Sequence, residues 1–317
     1  MSSIESKEYN VKKILVVSLS NIGDVILTCP VIDSLIQRFP LCEISVIVGS
    51  KAVGLFEGNP YIKDVFIFDK KQSFGSMMCW AFNLRKNNFD MVVDLRNTIL
   101  SLILMPRYST SLKAHKADGH MHDKHLARLW SVVPDAKSHE DRKAIFINQE
   151  AQDIADKILS SQINLESKYC VVGVGAADQK KRWTEGGFVE VCNWIFEQYG
   201  FQSVFVGDQS DFLRAEKISK SLKNKGVNLC GEINLLEFAG TLKRSGFVLS
   251  NDSAVMHMAS YFNIPTIGLF GPTNSIKYGP WAEKFEIVRS PNEDGHEIAK
   301  MSEITPKSVK ESIRRIL

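Results

Sequence analysis

Short apolar runs alternate with longer amphipathic segments along the first half of the chain. The runs at 13–19 (KILVVSL), 43–48 and 90–94 (DMVVD) predict buried strands. Segments 25–39 and 76–87 have helical periodicity, and a short helix fits 52–56. Strands that alternate with helices are typical of a doubly wound parallel sheet, so the pattern predicts an α/β fold.

The same alternation starts again after a polar stretch at 160–168. Residues 169–175 (YCVVGVG) predict a strand, 184–199 a helix and 203–206 a further strand, and the chain closes with a helix at 305–317. We therefore predict two doubly wound domains, 1–160 and 161–317, facing each other across a cleft. The closing helix could pack back on the first domain.

Composition narrows the class of protein. The chain has 317 residues, of which 44% are apolar and 24% charged, which fits a globular protein and excludes disordered and fibrous classes. A net charge of +3 is too small to predict a nucleic-acid partner. The six cysteines form no CxxC pair, so a zinc ribbon or thioredoxin motif is unsupported and most should be reduced core thiols.

No segment predicts secretion or membrane spanning. The polar start, MSSIESKEYNVKK, lacks the apolar region of a signal peptide, which predicts a cytoplasmic protein. The most apolar candidate, 99–105 (ILSLILM), is too short to cross a bilayer. Burial in the core and surface contact with a membrane remain as its alternatives.

A polar turn follows the first predicted strand, with the sequence LSNIGD at 19–24. Gly23 allows a tight turn, and Asp24 falls near the start of a helix at the carboxyl edge of the sheet. Asp24 or Ser20 could simply cap this helix. Alternatively, Asp24 could be a general base that accepts a proton from a hydroxyl attacking a sugar carbon. The absence of GxGxxG after the strand makes a dinucleotide site a weak rival.

A second turn, 173–183 (GVGAADQKKRW), combines small residues with Lys180, Lys181 and Arg182 ahead of a helix. Small residues let the backbone approach a ligand, and the three cations could meet phosphate. The alternative is a solvated basic turn, and the spacing of a P-loop is missing.

The third turn lies in 247–273 (FVLSNDSAVMHMASYFNIPTIGLFGPT), which predicts a strand, a polar turn, a helix and a second strand. A helix start can hold phosphate through its unpaired N–H groups, and Asp252 or Ser253 could cap it. His257 lies one turn further on the same face, although a lone histidine is more often structural.

Two further segments are candidates for ligand contacts. The turn at 206–211 (VGDQSD) could border a nucleotide or be a surface loop. The basic, histidine-rich segment 107–128 predicts loops and short helices that could contact an anionic acceptor or a membrane, bind a metal, or be solvated. No DxD triplet occurs, so we expect no metal site.

At these motifs the sequence resembles the heptosyltransferase family, glycosyltransferase family 9, which builds the inner core of bacterial lipopolysaccharide. The segments LVVSLSNIGDVILTCPVIDSLIQRFP, KRWTEGGFVEVCNWI and LSNDSAVMHMASYFNIPTIGLFGPT carry the resemblance. It implies a GT-B fold of two Rossmann-like domains, with the acceptor bound by the first and the donor by the second. It also implies inverting transfer from a nucleotide sugar, ADP-heptose in the best-known members, to a hydroxyl of a lipid-linked core sugar.

Site residues follow from the same resemblance. Asp24 would be the base, Lys181 would meet the donor diphosphate, and Asp252 would hold sugar hydroxyls beside His257. The remaining expected donor contacts are the backbone of Ser253 and Ala254 on phosphate, Ile233 on adenine, and Ala176 and Ala177, which stand where some members have hydroxyl residues. The expected acceptor contacts are Ser20, Asn21, Gly23, Lys113 and Lys116.

The implied partners are a nucleotide-sugar donor and an anionic glycolipid or glycan acceptor, without a further cofactor and with peripheral contact at the cytoplasmic face of the inner membrane. Segment 97–142 shows little specific match, which leaves the acceptor open. Two alternatives remain at this stage. One is a nucleotide-sugar epimerase or hydrolase on the same plan, and the other is a non-catalytic subunit that binds a sugar nucleotide.

Overall fold

A computed structural model describes residues 9–69, 71–110, 119–137, 141–163, 167–290 and 300–317. Its internal contacts divide the chain into two compact units, Met1–Phe146 and Ile147–Leu317. Each unit contains one parallel sheet covered by helices, which confirms the predicted α/β class.

The first unit alternates strands and helices in the order that the hydrophobic pattern predicts. Its elements are β1 Lys13–Val17, α1 Ile22–Arg38, β2 Glu43–Val48, β3 Ile62–Ile67, α2 Phe74–Arg85, β4 Met91–Asp94, α3 Leu100–Leu104, β5 Tyr108–Ser109 and α4 Met121–Trp130. The predicted short helix near 52 is a 3-10 helix, Ser50–Leu55. Pro30 does not interrupt α1, which continues to Arg38.

The five strands of the first unit lie in the order β3-β2-β1-β4-β5, all parallel. The winding therefore reverses direction between β1 and β4. In open α/β sheets such a reversal opens a crevice at the carboxyl ends of the two strands, where ligands bind. We therefore expect the ligand-binding residues of this unit on the loops that follow β1 and β4.

The second unit repeats the scheme with six strands. Its elements are α5 Gln149–Ser160, β6 Tyr169–Gly173, α6 Glu185–Tyr199, β7 Gln202–Val206, α7 Phe212–Lys220, β8 Val227–Asn228, α8 Leu235–Lys243, β9 Val248–Asn251, α9 Ala254–Tyr261, β10 Thr266–Phe270, α10 Ser275–Tyr278, β11 Phe285–Arg289 and α11 Pro306–Ile316. The strand order is β11-β10-β9-β6-β7-β8. Numbered from the first strand of the unit this is 3-2-1-4-5-6, the order of dinucleotide-binding domains, with its reversal between β6 and β9.

Two elements differ from the sequence interpretation in their assignment. Helix α5, expected at the end of the first domain, falls in the second unit and packs against α8. The closing helix α11 packs on β10, β11 and α6 of its own unit. Its apolar residues Val309 and Ile313 are buried in the core of that unit, and this burial fixes its place.

The apolar strands form the buried centre of each unit. The strands β1, β4, β6 and β9 are almost fully buried, as expected when helices cover both faces of a parallel sheet. Four cysteines (Cys29, Cys170, Cys192 and Cys230) are buried free thiols, and burial raises their pKa values. Within the described residues, no helix combines the length and the apolar character needed to cross a membrane.

Candidate active site

A buried ion pair spans the reversal point of the second sheet. Lys181 follows β6 and Asp252 follows β9, and the Lys181 ammonium lies 2.8 Å from Asp252 Oδ2. The Asp252 side chain is almost wholly buried, whereas Lys181 keeps about a third of its surface exposed. An ammonium has three donors, so Lys181 can bind Asp252 and still reach the oxygens of a ligand.

His257 completes this constellation. Its Nε2 lies 3.9 Å from Asp252 Oδ1, and its ring is stacked on Trp281 with centroids 5.7 Å apart. His257 lies one turn after Ser253 on the same face of the helix, as the sequence predicts. This position brings it beside the Asp252 carboxylate. Lys181, Asp252 and His257, which the resemblance placed together on the donor, lie together in the structure.

Helix α9 begins at this same point. Ser253 is its N-cap residue but makes no side-chain capping bond, so the predicted cap is wrong. The Ser253 hydroxyl lies instead 3.1 Å from Ser250 Oγ, and the Asp252 carboxylate pairs with Lys181. The first-turn N–H groups, which start at Ala254, therefore have no side-chain acceptor from the cap and can receive an anion.

Asn251, which the sequence interpretation did not assign to the site, holds the loop after β6 in place. Its Oδ1 accepts from Trp183 N at 3.0 Å, and its Nδ2 donates to the carbonyls of Val174 (2.9 Å) and Gly175 (3.3 Å). The side chain is fully buried. A polar residue at the end of a buried strand was the only sequence signal for this role.

Arg182 also braces this loop, contrary to the expectation that its charge faces phosphate. Its guanidinium donates twice to the Ala176 carbonyl and lies 3.6 Å from Asp211 Oδ1. Burial, followed by the charge of Asp208, raises the pKa of Asp211. A Cβ on Gly175 would stand 1.9 Å from Asp211 Oδ2, so only glycine lets the loop pass so close.

The remaining predicted donor residues lie on loops at the same sheet edge. Ala176 is buried and Ala177 exposed in the loop after β6. Ile233 is half-buried just before α8, whose start is closed by a capping box of Asn234 and Glu237. A pocket of about 450 Å³ lies beside the same loop and is lined by Gln179, Arg182, Trp183, Thr184, Glu185 and Arg214. Its lining excludes Lys181 and Asp252, so it is distinct from the ion-pair site.

In the first unit, Asp24 occupies the first turn of α1 and is half-buried. It does not cap the helix, because the N-cap residue is Asn21 and no side chain bonds the first-turn N–H groups. The Asn21 amide donates to Asp24 Oδ2 at 2.9 Å. A neutral donor orients the carboxylate and leaves its other oxygen open to a proton.

Arg96, a residue that the sequence interpretation did not assign, bridges the reversal point of the first sheet. It follows β4, donates to the Ser20 hydroxyl at 3.0 Å and lies over the Phe68 ring at 4.2 Å. Burial lowers its pKa, while Asp94 acts in the opposite direction. The two Asp94 oxygens already accept the N–H groups of Arg96 and Thr98.

The basic, histidine-rich segment is only partly described, and Lys113 and Lys116 lie outside the described residues. Residues 121–130 form α4, one short helix of the predicted loops and short helices, and it packs against α1. His125 is buried, and burial followed by Arg128 lowers its pKa to about 4. No group of three or more His, Cys, Asp or Glu that could hold a metal ion occurs in the part of the chain that the structure describes.

The fold and these two sheet edges define a class. Two doubly wound parallel α/β sheets, each covered by helices, are the architecture of the GT-B glycosyltransferases. Residues 80–307 match the model of glycosyltransferase family 9 (heptosyltransferase).

Known proteins agree with this class. The chain is 24% identical over 300 residues to lipopolysaccharide core heptosyltransferase OpsX of Haemophilus influenzae, covering 87% of this chain and 84% of that protein. Among solved structures it resembles a family 9 glycosyltransferase from Veillonella parvula, with TM-score 0.86, 22% identity and coverage of 98% and 99% of the two chains. It also resembles the Escherichia coli ADP-heptose heptosyltransferase II, with TM-score 0.77, 20% identity and coverage of 96% and 98%.

The chain belongs to glycosyltransferase family 9, the heptosyltransferases. It is an enzyme that transfers a sugar, and the family match does not favour the epimerase, hydrolase or non-catalytic alternatives.

Proposed function

We propose that the enzyme transfers heptose from ADP-heptose, with inversion, to a hydroxyl of an anionic lipopolysaccharide-core acceptor at the cytoplasmic face of the inner membrane. The observation that carries the proposal is the Lys181–Asp252–His257 group beside the open start of α9. It joins a cation and helix N–H groups, which suit a diphosphate, to a carboxylate and an imidazole, which suit sugar hydroxyls.

On this proposal the second unit binds the donor. The diphosphate receives the two remaining Lys181 donors and the N–H groups at Ser253 and Ala254, while Asp252 and His257 hold the sugar. Ile233 offers an apolar contact for adenine, and Ala176 and Ala177 approach the phosphates through their backbone. As the bond between the anomeric carbon and the diphosphate oxygen breaks, Lys181 and the helix dipole stabilise the charge that develops on ADP.

The first unit binds the acceptor and supplies the base. Asp24 accepts the hydroxyl proton while the acceptor oxygen forms the new bond to the anomeric carbon from the face opposite the leaving ADP. Ser20 and Asn21 immediately precede α1, and Gly23, predicted to form a tight turn, lies with Asp24 in the first turn of that helix. Arg96, stacked on Phe68 and bonded to neutral Ser20, offers its remaining N–H donors to an acidic group of the acceptor.

The Asp24→Asn variant tests the base. Transfer should fall by about 10²–10⁴-fold, since a general base contributes a factor of this order, while ADP affinity measured by calorimetry should stay unchanged. Asp69→Asn, which removes a carboxylate from the loop after β3, is the matched control and should keep its activity. Equal transfer rates for the parent and Asp24→Asn would refute the assignment of Asp24 as the base.

A thermal-shift comparison tests the donor. A ligand that binds only the folded state raises the melting temperature, so ADP-heptose should raise it and UDP-sugars should not. A shift with a UDP-sugar alone would refute ADP-heptose as the donor while leaving the transfer chemistry at Asp24 intact.

A further inference from the structure

Helices α2 and α3 of the first unit have apolar side chains on two opposite sides. Their inner sides pack on one face of the sheet, where Ala81, Leu84, Leu100 and Leu104 join the core with Leu15, Val17, Ile47 and Val92. Because the two helices also contact each other, they form a single layer over that sheet face.

The outer side of this layer is apolar as well. Phe74 and Phe82 on α2, with Ile99, Leu102 and Met105 on and beside α3, are each more than half exposed. Phe74, Met78 and Phe82 are four residues apart and so share one face of α2. Exposed apolar groups scattered singly are ordinary, but five large ones on two adjoining helices mark an interaction surface. We call these five residues the apolar platform.

Exposed basic residues lie on and beside the helices that carry the apolar platform. In sequence, the stretches 70–89 and 95–117 contain eight basic residues, and the nearest acidic residues, Asp69, Asp90, Asp94 and Asp118, flank these stretches. Lys71, Arg85, Lys86 and Arg107 of these stretches are exposed at the ends of α2 and after α3. An apolar surface with a basic margin complements a bilayer that carries anionic headgroups, because apolar side chains enter the acyl boundary while cations meet phosphate.

The platform also lies at the functional edge of the sheet. Helix α2 begins after β3 and α3 begins after β4, so Phe74 and Ile99 lie toward the carboxyl edge of the parallel sheet, as does Asp24 after β1. A protein resting on a bilayer through this layer would therefore present its acceptor edge near the membrane surface.

We propose that the apolar platform and its basic margin bind the surface of an anionic phospholipid bilayer, where a lipid-linked acceptor would be found. The role of this surface in bringing the enzyme to its acceptor rests on the proposed function, but lipid binding can be measured without donor or acceptor. Segment 99–105 divides between the two sequence alternatives, since Leu100 and Leu104 enter the core while Ile99, Leu102 and Met105 are exposed.

Vesicle sedimentation of the full chain tests the apolar part. The vesicles contain roughly three parts phosphatidylethanolamine to one part phosphatidylglycerol, since headgroup charge supplies part of the attraction. In the variant Phe82→Ser/Leu102→Ser/Met105→Ser the bound fraction should fall about tenfold or more, because three exposed apolar groups no longer enter the bilayer. The control Leu41→Ser/Leu213→Ser/Ile276→Ser removes three apolar groups elsewhere that are at least as exposed, and this variant should bind as the parent does.

A second pair of variants tests the charge. Arg85→Gln/Lys86→Gln should weaken binding roughly thirtyfold, because two basic groups near an anionic surface contribute about 1 kcal/mol each, while Lys225→Gln/Lys284→Gln should not weaken it. The parent should bind phosphatidylcholine vesicles much more weakly than the anionic ones. Circular dichroism of every variant checks that the fold is kept.

Three outcomes overturn the proposal: no binding of the parent to anionic vesicles, equal binding of the parent and the serine variant, or equal binding to neutral and anionic vesicles. A change of oligomeric state in the serine variant, seen by ultracentrifugation with no change in vesicle binding, would assign the platform to a second copy of the chain instead. Transfer to an acceptor fragment without its lipid is the separate readout. If that transfer persists while vesicle binding fails, the enzyme function stands and only the membrane surface is refuted.

Discussion

In each unit a basic residue lies at the point where the strand order reverses. The two residues differ in the side chain that they bond, which is charged in the second unit and neutral in the first. In the second unit Lys181 is paired with the buried carboxylate of Asp252. In the first unit Arg96 meets the neutral hydroxyl of Ser20, and Asp24 meets the neutral amide of Asn21. The same fold position therefore carries a Lys–Asp ion pair in one unit and, in the other, an arginine and an aspartate whose side chains each bond a neutral group, with the charge of Asp94 near the arginine.

This difference fits the division of labour that we propose. An ion pair whose carboxylate is buried is costly to break, so it suits a site that must present fixed donors and acceptors to a nucleotide sugar. A carboxylate with a neutral partner keeps lone pairs for a proton, and an arginine with a neutral partner keeps donors for an anion. Variants of these groups test whether the difference in pairing separates donor binding from acceptor binding and proton transfer.

Breaking the Lys181–Asp252 pair should give the largest effect. In Lys181→Met we expect ADP affinity to fall roughly a hundredfold, because charge-assisted bonds to the diphosphate are lost. The free energy of unfolding should fall by about 2 kcal/mol, because Asp252 is left buried and unpaired, and this figure allows for the partial exposure of Lys181. Calorimetry and urea denaturation measure the two quantities.

Lys180→Met, one residue earlier and exposed, is the control and should change neither quantity appreciably. The double variant Lys181→Met/Asp252→Asn should recover stability but not ADP affinity. Recovery of both would mean that Lys181 serves only the ion pair.

Lowering the pH should destabilise the first unit through its buried histidines. The pKa of His125 is lowered to about 4 in the folded state against about 6.5 when unfolded, mainly by burial, and that of His122 is lowered similarly. Stability is therefore full above pH 6.5 and is lost as the pH falls toward 4, since the unfolded chain binds protons that the folded chain does not. His125 alone should cost about 2 kcal/mol between pH 7 and pH 5.

The variant His125→Leu should show a correspondingly smaller loss of unfolding free energy between pH 7 and pH 5 in urea denaturation. An equal pH dependence in the parent and the variant would show that His125 is accessible to protons in the folded state.

Gly49 and Gly175 each lie close to another part of the chain. Replacing either glycine by alanine should affect only the unit that contains it. A Cβ on Gly49 would stand 2.6 Å from Ser20 O, and one on Gly175 would overlap Asp211. Each alanine variant should lose about 1–3 kcal/mol of unfolding free energy. Gly49→Ala should lower kcat by displacing the Asp24 loop, whereas Gly175→Ala should lower ADP affinity.

Gly186→Ala, in α6 with open space around it, is the control for these two variants and should be slightly stabilising. If Gly49→Ala lowered ADP affinity as strongly as Gly175→Ala, the assignment of donor and acceptor to different units would be wrong.

Replacing Arg96 should give the smallest effect. In Arg96→Gln we expect KM for the acceptor to rise roughly tenfold, with donor affinity unchanged, because one charge-assisted contact is lost. Arg96→Lys should raise KM less than Arg96→Gln does, since lysine keeps the charge but not the planar stacking on Phe68. Steady-state kinetics against acceptor concentration measure the change, and a fall in kcat at constant KM would contradict a role in acceptor binding.

Much of the fold and part of the site follow from local sequence. The strands at 13–17, 91–94 and 169–173 are short apolar runs, and their burial under two helical layers requires no information beyond that pattern. The turns that follow β1, β6 and β9 were predicted as sites because polar residues after a buried strand must lie at the sheet edge. Lys181, Asp252 and His257 were carried over from the family resemblance, and the structure brings the three together.

Other features depend on residues far apart in the chain. Asn251 reaches carbonyls more than seventy residues away, and Arg96 reaches Ser20 across 76 positions. No periodicity predicts such bonds, because they exist only after β1 pairs with β4 and β6 pairs with β9. The assignment of α5 to the second unit has the same origin, since its packing on α8 is a long-range contact.

Local sequence is enough to predict which segments are strands and helices, and which polar turns lie at a sheet edge, because these depend on neighbours within a few residues. Which of those side chains face each other depends on how the elements of each unit pack. Tertiary packing bonds Arg182 to the Ala176 carbonyl, leaves α9 without a side-chain cap from Ser253, and exposes one side of α3 while burying the other. The physical reason is that orientation and burial are set by strand order and helix packing, which local patterns do not encode.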